Sequence, residues 1–200
     1  MFDEPVRRLL PRVFAAPARL LARWGVSPNM LSIAGAASGI AAGLLVAKGL
    51  TAFGVAVWLA SRVLDGMDGL LARETGRASA FGGYLDITLD MIAYSAMLLG
   101  FAAVHPEAGW VWSAILVGYL LVTTTTLALS SILEKERATI AGNNRSLQFT
   151  PGFAEAGETT AAYVLFALFP QHITPLAWGW AALCGATVVQ RTLLARRLLS

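Results

Sequence analysis

Charge is scarce in this chain, and so is cysteine. Of its 200 residues only 14% are charged, against 56% hydrophobic. A soluble domain of this size needs more polar surface than that. The single cysteine, Cys184, stands inside an apolar run. It excludes a disulfide framework and reads as a small buried hydrophobe. The two histidines, His105 and His172, fall in short turns and are expected at an interface, outside any site. There is no internal repeat beyond a shared helical-hairpin pattern, and no low-complexity tract. A cleavable signal peptide is not expected, because Arg7, Arg8, Arg12, Arg19 and Arg23 crowd the N-terminus and Pro11 and Pro17 interrupt any apolar core there.

What is plentiful is apolar sequence in long blocks. Six segments stand out, at roughly 31–48, 51–66, 84–104, 109–133, 155–170 and 173–195. A membrane span needs about 20 residues, so several are short, and the second and third are expected to extend into the polar stretch between them. The expected fold is all-α: a polytopic membrane protein of six transmembrane helices. Tight turns follow the first, third and fifth segments, while the connections near 67–83 and 134–154 are longer and polar. Upstream, residues 5–24 place Arg8, Arg12, Arg19 and Arg23 on one helical face and Leu9, Val13, Leu20 and Trp24 on another. That pattern suits an interfacial amphipathic helix, broken by Pro11 and Pro17. The alternative is a disordered basic tail. The expected division is a juxtamembrane segment over 1–26 and one membrane domain over 27–200. Thr123 to Thr126 form a polar run within the fourth span, to which a packing role is assigned.

Cations give the orientation. With six spans, the side holding both termini and the two long connections carries fourteen Lys and Arg residues, from Arg7 to Arg197 and including Arg62, whereas the other side has Lys48 alone. The positive-inside bias puts both termini in the cytoplasm.

The chemistry concentrates in residues 65–90, DGMDGLLARETGRASAFGGYLDITLD. Asp65 and Asp68 are three apart and Asp86 and Asp90 four apart, so on helices each pair shares a face. An antiparallel hairpin brings both pairs together at one membrane depth. Four carboxylates at a bilayer boundary repel one another and are costly to desolvate, and Arg73 is the one nearby cation in the pattern. Hard divalent metal resolves that conflict, and two ions sharing carboxylates suit displacement at phosphorus. Gly69, Gly82 and Gly83 would let backbone approach a ligand closely. The bland alternative is a loop of solvated carboxylates and turn glycines.

This stretch resembles the signature of the CDP-alcohol phosphotransferase family, D-x2-D-G-x2-A-R-x8-G-x3-D-x3-D. Asp65, Asp68, Gly69, Ala72, Arg73, Gly82, Asp86 and Asp90 meet its eight fixed positions. The resemblance extends to the six-span layout and to the Ser27-Pro28-Asn29-Met30-Leu31-Ser32 entry of the first span, although the family usually has threonine where Ser32 stands. It implies two divalent cations, Mg2+ or Mn2+, on Asp65, Asp68, Asp86 and Asp90, with Asp90 also the general base. It implies a CDP-linked lipid donor held by Pro28, Asn29, Ser32, Asp65, Gly69, Ala72, Arg73, Ser79 and Gly82. The implied reaction is attack of an alcohol on the donor's β-phosphorus with CMP leaving. The expected setting is a bacterial or archaeal cell membrane, with the active site cytoplasmic, membrane lipids around it and no nucleic-acid partner. A homodimer is implied as well, and small residues such as Ala93, Ala96, Gly100 and Gly118 would allow close packing between helices.

The acceptor alcohol stays open. Lys135, Arg137, Arg145 and Arg191 would suit a phosphorylated acceptor, whereas Glu155 and Glu158 would suit a polyol or a cationic headgroup, or would simply stabilise a helix N-terminus. Residues 141–154 read as a loop over the site. Two rivals are a transporter with an ion site and a magnesium-dependent membrane prenyltransferase. The spans offer no second charged station for the first, and prenyltransferase aspartate motifs lack the AR-x8-G bridge.

Overall fold

Ser27 starts the first long helix. Its Oγ accepts the Met30 N–H at 3.2 Å, and Pro28 supplies a residue that needs no amide partner in the opening turn. The helix it caps, α1, runs Pro28–Ala47 and is followed by α2 (Thr51–Glu74), α3 (Ala80–Val104), α4 (Val111–Ile140), α5 (Ala156–Leu168) and α6 (Ile173–Leu198). Single 3-10 turns at Pro106–Ala108 and Pro170–His172 join α3 to α4 and α5 to α6. The computed structural model describes residues 14, 16–140 and 154–199, with 136–140 described by backbone alone.

No strand occurs among the described residues. Three helical stretches are long and apolar enough to cross a membrane: Pro28–Ala47, Ala80–Val104 and Val111–Lys135. Helices α2 and α6 have the length, 24 and 26 residues, but are less apolar, and α5 has only 13 residues. Residues 16–23 are helical, with Ala18 fully buried. Leu21, Ala22 and Val26 pack on a small cluster of Leu31, Met67 and Leu71, while Leu20 and Trp24 stay exposed. The remainder of the expected amphipathic segment lies outside the described residues.

Helices α1, α2 and α3 form one closely packed group, and α4 and α6 another, with α5 bridging α2 and α6. The first group closes so tightly because of glycine. A Cβ on Gly100 would collide with the Gly43 backbone, and a Cβ on Gly39 would sit 2.7 Å from that of Ala93. On the other side, a Cβ on Gly118 would lie 2.8 Å from that of Cys184. The small residues expected to serve contacts between copies are therefore used within the chain: Ala93, Gly100 and Gly118 are buried, and the Ala96 carbonyl faces Gly43. Backbones this close gain dispersion that branched side chains would prevent.

Between the groups lies an aromatic core. Trp58 meets Tyr94 and Tyr163 edge-on, with centroids 5.1 and 5.3 Å apart, and Phe101 meets Phe166 the same way at 5.6 Å. Three polar tips pair with one another or with backbone: Tyr163 Oη donates to the Tyr94 carbonyl at 2.8 Å and lies 3.0 Å from Tyr119 Oη, which accepts from Trp180 Nε1 at 3.0 Å, whereas Trp58 Nε1 and Tyr94 Oη are buried without a hydrogen-bond partner among the described residues. Cys184 is fully buried, as expected. The threonine run does more than fill space, because Arg191 Nη1 donates to Thr126 Oγ1 and, at 3.0 Å, to the Val122 carbonyl, tying α6 to α4.

The long connection expected over 67–83 is shorter than that. Helix α2 carries on through Glu74 and α3 begins at Ala80, so only 75–79 lie outside helix. Gly76, at φ +64°, makes the reversal, a conformation that side chains resist. All four aspartates consequently stand on helix.

Candidate metal and nucleotide site

Ser79 caps α3 by accepting the Gly82 N–H at 3.0 Å, and this fixes where α3 starts relative to α2. Asp86 then faces Asp65 and Asp68 across the helix pair. Carboxylate oxygens of these three residues lie within 4.8 Å of one another. Asp68 is buried, Asp65 half-buried and Asp86 exposed, so the cluster opens at one side. Oxygens this close repel one another unless a cation sits among them, and their spacing fits a hard divalent ion.

Ser32 holds the innermost carboxylate. Its Oγ donates to Asp68 Oδ2 at 2.5 Å and also lies 3.2 Å from the Pro28 carbonyl, so α1 positions a residue of α2. The family's usual threonine would place a hydroxyl at the same point. Asn29, one turn earlier, reaches α3: a Cβ on Gly82 would lie 3.3 Å from Asn29 Oδ1 and 3.2 Å from Ser79 Oγ. Arg73 folds back over Gly69, where a Cβ would lie 3.3 Å from its Nη1. Pro28 is buried, Ala72 half-buried and Arg73 exposed. The residues expected to hold the nucleotide thus line one end of α1, α2 and α3.

Asp90 stands apart from the cluster of three. Arg62 Nη1 donates to its Oδ1 at 2.5 Å and lies 3.7 Å from Asp65 Oδ2. The guanidinium is stacked 4.5 Å from the Trp58 ring centroid and 5.0 Å from that of Tyr94, with the side chain only 12% exposed. Arg73 is the cation within the motif; Arg62, outside it and counted in the sequence reading only among the charges of one membrane side, is the one that reaches the carboxylates. The signal was present in the spacing: Trp58, Arg62 and Asp65 are one turn apart in succession, as are Asp86, Asp90 and Tyr94.

Of the acceptor candidates, Arg191 is buried at 6% exposure, with Glu155 in electrostatic range. Glu155 is the N-cap residue of α5 and Glu158 lies in its first turn. Lys135 is exposed on α4. The Arg137 side chain, Arg145 and the loop expected over 141–154, except Ala154, lie outside the described residues. Ala154 N donates to Thr187 Oγ1 at 2.9 Å, anchoring the start of α5 to α6.

An all-helical membrane protein with a carboxylate cluster, a capped glycine turn and a largely enclosed arginine beside the carboxylates has the parts of an enzyme acting on a charged lipid substrate. The chain belongs to the CDP-alcohol phosphatidyltransferase family, which it matches over residues 25–191. It is accordingly a membrane transferase of phospholipid biosynthesis. Among curated relatives, it is 32% identical over 197 residues to the inner membrane protein YnjF of Escherichia coli, covering 96% of this chain and 93% of that one. It is 31% identical over 163 residues to an archaetidylinositol phosphate synthase of Pyrococcus horikoshii, covering 76% and 74% of the two chains. Two solved structures of Mycobacterium tuberculosis phosphatidylinositol phosphate synthase share the fold. The complex with manganese and citrate gives a TM-score of 0.67 at 23% identity, covering 92% of this chain and 88% of the other. The form with CDP-DAG bound gives 0.64 at 26% identity, covering 92% and 94%.

Proposed function

We propose that this enzyme transfers a phosphatidyl-type group from a CDP-linked lipid, such as CDP-diacylglycerol, to an alcohol and releases CMP. The observation that carries the proposal is the meeting of Asp65, Asp68 and Asp86 oxygens within 4.8 Å beside Ser32, Asn29 and Gly82. A relative of the same fold is solved with manganese and another form with CDP-DAG. Asp65, Asp68, Asp86 and Asp90 would hold two divalent cations, Mg2+ or Mn2+. Bound there, the cations would offset the charge that develops on the donor's pyrophosphate.

The protein's own groups then have distinct tasks. Asn29, Ser79 and Gly82 shape the place for the cytidine side of the donor, where any side chain at Gly82 would intrude. Gly69 and Arg73 bring backbone and one guanidinium to its phosphates. Ser32 orients Asp68. Asp90 takes the proton of the attacking hydroxyl as the oxygen–phosphorus bond forms and the bond to CMP breaks. The acceptor would enter past Lys135, Glu155, Glu158 and Arg191. Several relatives are named as phosphatidylinositol phosphate or archaetidylinositol phosphate synthases, which makes a phosphorylated polyol the first acceptor to try.

The full arrangement proposed is six spans with both termini and the site cytoplasmic, residues 1–26 as an interfacial segment, and a homodimer in a bacterial or archaeal membrane. Purified protein supplied with CDP-diacylglycerol and a panel of inositol phosphate, glycerol phosphate, inositol, serine and choline tests the reaction. Release of CMP with one acceptor is expected. Release with none of them, in the presence of magnesium or manganese, overturns the reading.

A further inference from the structure

The fourth aspartate is separated from the other three by a partner of its own. Arg62 grips Asp90 at 2.5 Å, reaches towards Asp65 at 3.7 Å, and rests against the neighbouring rings of Trp58 and Tyr94. Packing against two rings in a side chain only 12% exposed limits the freedom a long side chain would otherwise lose on pairing, and the delocalised guanidinium is the cation best suited to stacked, enclosed sites. Enclosure also strengthens the attraction relative to a surface pair. Two cations therefore have a claim on Asp90: the arginine and a divalent ion.

We propose that Arg62 is a positioning residue that competes with divalent metal for Asp90 and so weakens the second of two metal-binding steps. The first step needs only Asp65, Asp68 and Asp86, whose oxygens are already within 4.8 Å of one another. The second draws on Asp90, which must turn an oxygen away from, or share it with, the guanidinium. The consequence is that Asp90 is not saturated by metal and keeps an oxygen for the proton of the attacking alcohol. The inference rests on the aspartates forming a metal site.

The test is a titration of the full-length protein, in a non-ionic detergent, with Mn2+, following the free ion by its paramagnetic resonance signal. The wild type is expected to bind in a tight and a weak step. Arg62→Gln should tighten the weak step by about tenfold, the effect of removing one enclosed charge near a dication. The tight step should stay within about threefold of wild type. Turnover should fall at the same time, whereas a merely structural role for Arg62 would weaken both steps. Asp90→Asn should abolish the weak step in either background. An unchanged or weaker second step in folded Arg62→Gln overturns the proposal. If that variant does not fold, Arg62→Lys decides: its point charge cannot hold the stacked fork, so the weak step should tighten by about threefold, and no tightening again overturns it. Absence of any Mn2+ binding by the wild type overturns the metal reading itself, which is a different result.

Discussion

At the scale of single residues, Asp90 and Ser32 make opposite predictions. Asp90→Asn keeps the shape and removes the charge, so turnover should fall at least ~100-fold while donor binding suffers much less. Asp65→Asn should weaken donor and metal binding together, because Asp65 belongs to the cluster of three. Steady-state CMP release paired with donor-binding isotherms separates these outcomes, and equal loss of donor affinity in both variants would make Asp90 only a ligand. Ser32→Ala removes the hydroxyl that holds Asp68 at 2.5 Å. Loss of such a supporting bond costs about tenfold or more in metal affinity, and a metal titration reads it. The aspartates were legible in the sequence because their spacing is local and helical. The Ser32–Asp68 bond was not, since 36 residues separate its partners and no periodicity connects them. Arg62 was legible in spacing but not in role, because a count of charges by membrane side cannot tell an enclosed guanidinium from a solvated one.

Helices explain why the pairs of aspartates meet at all. The capped start of α3 and the reversal at Gly76 set α3 against α2, and α1 holds both through glycine-lined crossings. Gly100→Val should therefore overfill the α1–α3 crossing, a fault that costs about 1–3 kcal/mol or more in packed interiors. A thermal melt in detergent should show a clear drop in midpoint. Gly179→Ala is the control, since nothing lies within 4 Å of a Cβ there, and its midpoint should hold or rise slightly. The six helices could be read from the apolar runs, though the polar ends of α2, α3 and α4 at the site extend beyond those runs. The crossings could not: small residues in α3 and α4 suit contacts within a chain or between copies equally well, and only their actual neighbours, Gly43 and Cys184, settle it.

For the molecule as a whole, topology and metal dependence are open to direct measurement. The lone cysteine is fully buried, so single cysteines placed elsewhere report with little background. In the proposed orientation, with both termini cytoplasmic, a membrane-impermeant thiol reagent applied outside should label positions 107 and 170 but not 75, and the reverse pattern would strand the site on the wrong face. A chelator should abolish CMP release and added magnesium or manganese should restore it; full activity in excess chelator would contradict the metal site. Helix α5 adds a last point. Its 13 residues reach about 20 Å, against about 30 Å of hydrocarbon. In the proposed six-span arrangement its first turn, with Glu155 as N-cap and Glu158 within it, would begin below the lipid headgroups. Water can then follow the protein inward at that point, forming a vestibule on one flank while acyl chains lie against the others. A sugar-like acceptor and a greasy donor could thereby reach the same phosphorus without either leaving its preferred solvent.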